Sequence, residues 1–140
     1  MSSALRRLYL TTPLFYVNSS PHVGHLYSGV VTDALTRALS LFGDTPAVFA
    51  TGTDEHGAKV ATAAAERGVG VGELVDNVSG QFKEVFDAYR LSYSAFIRTT
   101  STEHCDTVEW VWKTLKEKGL LYRSTHSGYY CRSDETFLEE

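Results

Sequence analysis

The sequence predicts an α/β fold built on a parallel sheet, and three observations predict it. Short stretches rich in β-branched and aromatic residues alternate with longer segments of helical period. The first two candidate strands each run into a polar, glycine-bearing loop before the next helix begins. Finally, 43% of the 140 residues are apolar, enough for one compact core.

The elements follow in order. Residues 8–17, "LYLTTPLFYV", read as a buried strand with an irregular point at Pro13. Ser20 and Pro21 match an N-cap and a first helical position. From 22 to 42, Leu26, Val30, Val31, Leu35, Ala38, Leu39 and Phe42 form an apolar stripe of helical period, closed by Gly43-Asp44. A short strand at Ala47–Ala50 then enters the polar loop "TGTDEHG". Residues 58–67 are alanine-rich and helical, with Gly68 as their stop, and a further helix is expected from Val71 to Tyr89. Ala95–Arg98 reads as a strand, and a helix over about 103–118 follows Thr102 and ends at Gly119. The last part alternates and is expected to turn at Ser127-Gly128 as a β-hairpin opening a second unit.

Composition narrows the function. A formal charge of −4, with lysine and arginine scattered, argues against a nucleic-acid patch in this segment. Two cysteines, Cys105 and Cys131, are too few for a disulfide framework and are compatible with a reducing compartment. No apolar stretch approaches the length of a bilayer span, so no membrane partner is expected. The start, "MSSALRRLYLTTP", is basic and serine-bearing but shorter than a transit peptide should be. The end, "CRSDETFLEE", lacks a helix stop or tail composition and reads as a truncation.

In parallel α/β sheets, ligands bind beyond the carboxyl ends of the strands. The clusters "NSSPHVGH" and "TGTDEHG" both belong there, facing each other across one rim. A helix N-terminus offers N–H groups and a positive dipole end to phosphate. His22 and His25, three apart, lie on the same side of the first turn, and Gly24 lets a ligand approach the backbone. Surface histidines around a tolerated glycine account for the same four residues equally well. A metal held by His22, His25, Asp54, Glu55 and His56 is a minority reading, because a histidine pair at a helix start is better placed for an anion.

Taken together, the stretches "TTPLFYVNSSPHVGHLY" and "FATGTDEHGAKV" resemble the methionyl-tRNA synthetase family. The former resembles the class I HIGH signature, with Val23 at the isoleucine position. The latter resembles the family's own loop after its second strand. The resemblance continues through "FIRTTSTEHCDTV" and "GLLYRSTHSGYYCRSDETFLEE", covering nearly the whole chain. It implies the first half of a Rossmann-like class I catalytic domain over 1–118, with the start of an inserted, β-containing connective domain over 119–140. The implied reaction is ATP-dependent activation of methionine to methionyl-adenylate, then transfer to tRNA(Met).

On this resemblance His22 and His25 are catalytic and meet the phosphates of ATP, while Gly24 makes room for the adenine. Leu14 and Tyr16 contact methionine, Asp54 pairs with its ammonium, and Glu55 and His56 support the loop. Mg2+ is expected with ATP. Structural zinc is not, because Cys131 is followed by Asp134 where a zinc knuckle would carry its second cysteine. That pattern resembles the zinc-less bacterial and mitochondrial branch, which leans toward the mitochondrial matrix, with a bacterial cytoplasm as the alternative. Trp110 and Trp112 read as helix packing and surface. The KMSKS-type loop of class I enzymes does not occur, since the lysines are Lys59, Lys83, Lys113, Lys116 and Lys118. The 140-residue piece alone is therefore expected to be inactive, with tRNA read by regions outside it. Two alternatives stand beside this reading: a small HxGH nucleotidyltransferase, which gives no reason for "TGTDEHG", and a non-catalytic nucleotide-binding fragment.

Overall fold

A computed structural model describes residues 8–42 and 46–138. Gly43-Asp44, the expected helix stop, lies outside the described residues. The chain divides into two compact units between Ser101 and Thr102.

The first unit contains β1 (Leu8–Thr11), β2 (Phe15–Tyr16), α1 (Val23–Phe42), β3 (Ala47–Asp54), α2 (Ala58–Arg67), α3 (Val71–Ala88) and β4 (Ala95–Arg98). All its strand pairings are parallel, with β3 at the centre. On one edge β1 pairs with its first half and β2 with its end, in the registers Leu8↔Ala47 and Tyr16↔Asp54. On the other edge β4 pairs with Ala50–Thr53.

The strand expected over 8–17 is thus two strands. Pro13 has no N–H to give the ladder, so pairing lapses there. The hydroxyls of Thr12 and Thr51 meet instead at 2.7 Å across the gap. β3 in turn runs four residues beyond the apolar stretch, through Thr51–Asp54. The hydroxyls of Thr51 and Thr53 are tolerated in a buried strand because they have partners: Thr51 pairs with Thr12, and the Thr53 hydroxyl pairs with Glu55 and Ser79. Gly52 is fixed by packing, since a Cβ there would stand 2.0 Å from the carbonyl oxygen of Ile97.

The three helices cover one face of the sheet. Phe15, Val17 and Phe49 pack with Val60 and Ala64 of α2 and with Leu74, Val75, Val78, Phe82 and Phe86 of α3. Strand alternation sends Tyr9, Tyr16 and Ile97 to the other face, where all three are exposed. The expected helices at 58–67 and from Val71 are both found, the first closed by Gly68 in the left-handed region at φ 68°.

The second unit holds α4 (Thr102–Glu117) and the antiparallel hairpin β5 (Tyr130–Cys131) and β6 (Thr136–Phe137). Gly119 has φ 69°, as a helix stop requires. The hairpin turns at residues 132–135, not at Ser127-Gly128. The rings of Tyr130 and His126 both pack on Phe137, at 5.2 and 4.4 Å, which sets the register. Trp110 and Trp112 are exposed. Among the described residues no helix is long and apolar enough to cross a membrane.

Candidate functional site

Parallel strands place the ends of β2, β3 and β4 on one rim, and the two polar clusters follow β2 and β3 there. The rim has two sides of different construction.

On the β2 side the helix begins two residues later than the sequence suggests. His22, not Ser20, is the N-cap: its carbonyl accepts the first helical bonds, from His25 N–H at 3.0 Å and Leu26 N–H at 3.2 Å. Nδ1 of His22 accepts from the N–H of Gly24 at 3.1 Å, and Nδ1 of His25 reaches back to the N–H of His22 at 3.2 Å. This is the reciprocal geometry of a capping box, made with two imidazoles. Two N–H groups that a bare helix start would offer to an anion are thereby occupied, and the imidazoles stand in front of them.

The box also fixes tautomers. A neutral imidazole that accepts at Nδ1 carries its proton on Nε2. Both rings therefore present N–H donors on the side away from the backbone. They stack at 3.7 Å with an interplanar angle of 23°. Burial, and then the neighbouring His22, hold the pKa of His25 below its usual value and keep the ring neutral. Its ring packs against the stacked pair Phe15 and Phe82, at 5.1 and 5.0 Å. Gly24 serves the same box, since a Cβ there would lie 3.0 Å from Cε1 of His22. Sequence reasoning misses the buttressing role of Phe15 and Phe82; only their apolar character could have signalled it.

On the β3 side, Asp54 ends the strand in register with Tyr16. Alternation turns both toward the face the helices leave open. The Asp54 carboxylate is half-buried and has no hydrogen-bond or ion-pair partner among the described residues. Leu14 borders a cavity of about 240 Å³ on that face, together with Tyr9, Thr11, Ala50 and Ile97. The structure thus brings Leu14, Tyr16 and Asp54 to one side of the sheet, with the His22–His25 pair at the helix start beyond the same rim.

Glu55 turns the other way. Its carboxylate is fully buried and accepts from Arg98 Nε at 2.7 Å and Nη2 at 3.0 Å, from the Thr53 hydroxyl at 2.8 Å, and from the Thr100 hydroxyl. Burial pushes its pKa up, but the hydrogen bonds of Arg98, Thr100 and Thr53 and the guanidinium charge prevail and hold it below the usual range. His56 Nε2 lies 3.2 Å from the carbonyl of Thr99. Both residues are thus bonded to Thr99, just past the end of β4. With Glu55 directed into the protein, the five-residue metal set does not converge, and no cluster of three ligands occurs among the described residues.

A family model described as tRNA synthetases class I (M) matches residues 8–140. The human mitochondrial methionine–tRNA ligase is 50% identical over 136 residues, which are 96% of this chain and 23% of that protein. The probable mitochondrial methionine–tRNA ligase of Schizosaccharomyces pombe is 45% identical, covering 99% of this chain and 26% of its own length. The methionyl-tRNA synthetase of Mycobacterium tuberculosis, solved with methionyl-adenylate, superposes with a TM-score of 0.87 at 39% identity over 96% of this chain and 26% of that one. The chain spans about a quarter of the length of these relatives.

Proposed function

Since the chain belongs to the class I (M) tRNA synthetases, we propose that it forms the methionine-binding side and half of the ATP site of a methionine–tRNA ligase. The observation that carries this reading is the rim itself: two imidazoles that accept backbone N–H groups at Nδ1 and turn Nε2 outward, and, on a strand end of the same rim, a carboxylate with no partner among the described residues.

Asp54 binds the ammonium of methionine by charge-assisted hydrogen bonds. Leu14 and Tyr16 flank the substrate, and the apolar cavity beside Leu14 suits a flexible thioether. The methionine carboxylate attacks the α-phosphate of ATP and pyrophosphate leaves, so no covalent enzyme intermediate is needed. His22 and His25 donate from Nε2 to phosphate oxygens as charge develops, each contributing about 3 kcal/mol in the manner of a single oxyanion-hole donor. Gly24 leaves the adenine side open. Mg2+ arrives with ATP, and no residue of this chain is assigned to it. Transfer to tRNA(Met) and the lysine loop facing these histidines belong to regions outside this sequence; the 140 residues alone bind ATP without turnover.

Residues 1–118 belong to the first half of the catalytic domain and 119–140 to the start of the inserted domain. No structural zinc is expected in that start, because Asp134 stands where a zinc knuckle would carry its second cysteine. The mitochondrial names of the human and yeast relatives support a mitochondrial matrix location.

The test is ATP–pyrophosphate exchange by the longest form of the protein that carries this chain. Exchange is expected only with methionine present, and Asp54→Ala should lower it on the order of a hundredfold or more, as loss of a buried charge partner does. Exchange without methionine, or an unimpaired Asp54→Ala variant, overturns the reading.

A further inference from the structure

The Asp54 carboxylate has no hydrogen-bond or ion-pair partner among the described residues, yet both its neighbours are tied down. The Thr53 carbonyl accepts the N–H of Thr99 at 3.3 Å, and its hydroxyl meets Ser79 of α3 at 3.0 Å. The N–H of Glu55 donates to the Thr99 hydroxyl at 2.8 Å. The Glu55 carboxylate is then gripped by the two-pronged fork of Arg98, whose Nη2 also reaches Asp76 of α3 at 2.6 Å. One guanidinium therefore joins the end of β3, the end of β4 and the face of α3.

Stability alone is a poor reason for this arrangement. A buried ion pair is often no better than apolar residues of the same volume. What a fork of fixed geometry supplies is position, and a substrate-binding group must be held to within about 0.5 Å. We propose that the Glu55–Arg98 pair is the positioning device for Asp54, holding its carboxylate open toward the amino group of the substrate, with Asp76 steadying the fork from the protein surface. The proposal rests on the assignment of Asp54 to the methionine ammonium.

The test uses pyrophosphate exchange in the same full-length protein, with KM for methionine and for ATP measured separately. Arg98→Lys keeps the charge but loses the fork; Glu55→Gln keeps the shape but loses the charge. Each should raise KM for methionine roughly tenfold or more, within the hundredfold that a misplacement of about 1 Å costs. KM for ATP should move by less than about twofold and kcat by less than about threefold, the mark of lost ground-state binding. In an Asp54→Asn background, Glu55→Gln should add almost nothing, because residues that act as one unit are not additive. Should Arg98→Lys fail to fold, Asp76→Asn at a 71%-exposed side chain replaces it, with an expected two- to threefold rise in KM for methionine.

An equal rise in both KM values, full additivity with Asp54→Asn, or lowered thermal stability with unchanged KM overturns the proposal by itself. Exchange that is independent of methionine in the unmodified protein overturns the functional reading and this inference with it.

Discussion

The two sides of the rim solve one problem, fixing a polar group at a strand end, by opposite means. After β2, every polar bond of the histidine box spans two or three residues, and the rings reach solvent. After β3, the bonds of Glu55 and Arg98 mostly cross 22 to 45 residues, and they hold a carboxylate that is fully buried. The first device can form as soon as α1 starts. The second exists only when β3, β4 and α3 have all been assembled. On the proposed function, local construction suits groups that meet a mobile phosphate chain, whereas long-range construction suits a carboxylate held in place for the substrate.

The largest effect that would break this contrast lies on the buried side. Arg98→Met removes the fork and leaves Glu55 buried without its counter-charge, which costs about 3–5 kcal/mol. The Arg98 side chain is a third exposed, so the lower end is expected. Thermal unfolding of the full-length protein, with hydrogen exchange read over residues 53–57 and 95–101, checks it. A loss below about 1 kcal/mol would mean that water reaches Glu55 and that the two sides are alike.

The contrast also explains what the sequence can and cannot reveal. His22, Gly24 and His25 are near neighbours with one local job, so their spacing is readable, although the sequence places the helix start two residues early, at Ser20. Histidine is a rarer cap than serine, and Ser20-Pro21 carries the commoner signal. Asp54 is readable only as part of a recognisable string; its open carboxylate follows from strand alternation beyond Ala50, where polar sequence conceals a buried strand. The partners of Glu55 are not readable at all. Nothing in "AFIRTTS" says that Arg98 and Thr100 fold back on a residue more than forty positions earlier. The hairpin turn departs from its local signal for a related reason: Ser127-Gly128 has the turn composition, but Phe137 and its ring contacts decide the register.

A smaller effect sharpens the local side. His22→Ala removes an N-cap acceptor and should cost about 1 kcal/mol. His22→Asn restores an acceptor for the N–H of Gly24 and should recover most of that stability, since asparagine is a strong N-cap. It does not restore the outward Nε2–H, so pyrophosphate exchange should remain depressed in both variants, by on the order of a hundredfold. Recovery of exchange in His22→Asn would show that the ring is only a cap, and would remove His22 from the chemistry.

The smallest effect separates the two sides by pH. His25 sits below its ordinary 6.5 because burial and His22 disfavour its charged form. Its contribution to stability is complete above 6.5 and is lost as pH falls through the lowered folded value, when a proton on Nδ1 would face the N–H of His22. Glu55 is held below its ordinary 4.5, so its contribution is complete above 4.5 and disappears only as pH falls through a still lower value. As pH falls below 6.5, then, the stability contributed by His25 declines, while that of the Glu55–Arg98 pair is complete down to 4.5. His25→Gln keeps an acceptor at the third helical position, as a capping box requires, but cannot titrate. Melting temperature against pH should fall less steeply for His25→Gln than for the unmodified protein between 6.5 and 4.5, and Glu55→Gln should alter the curve only below that range. Parallel curves for His25→Gln and the unmodified protein would mean that the imidazole proton is not linked to the helix start. In that case His25 binds its proton equally well folded and unfolded, and the local side of the rim carries no pH dependence of its own.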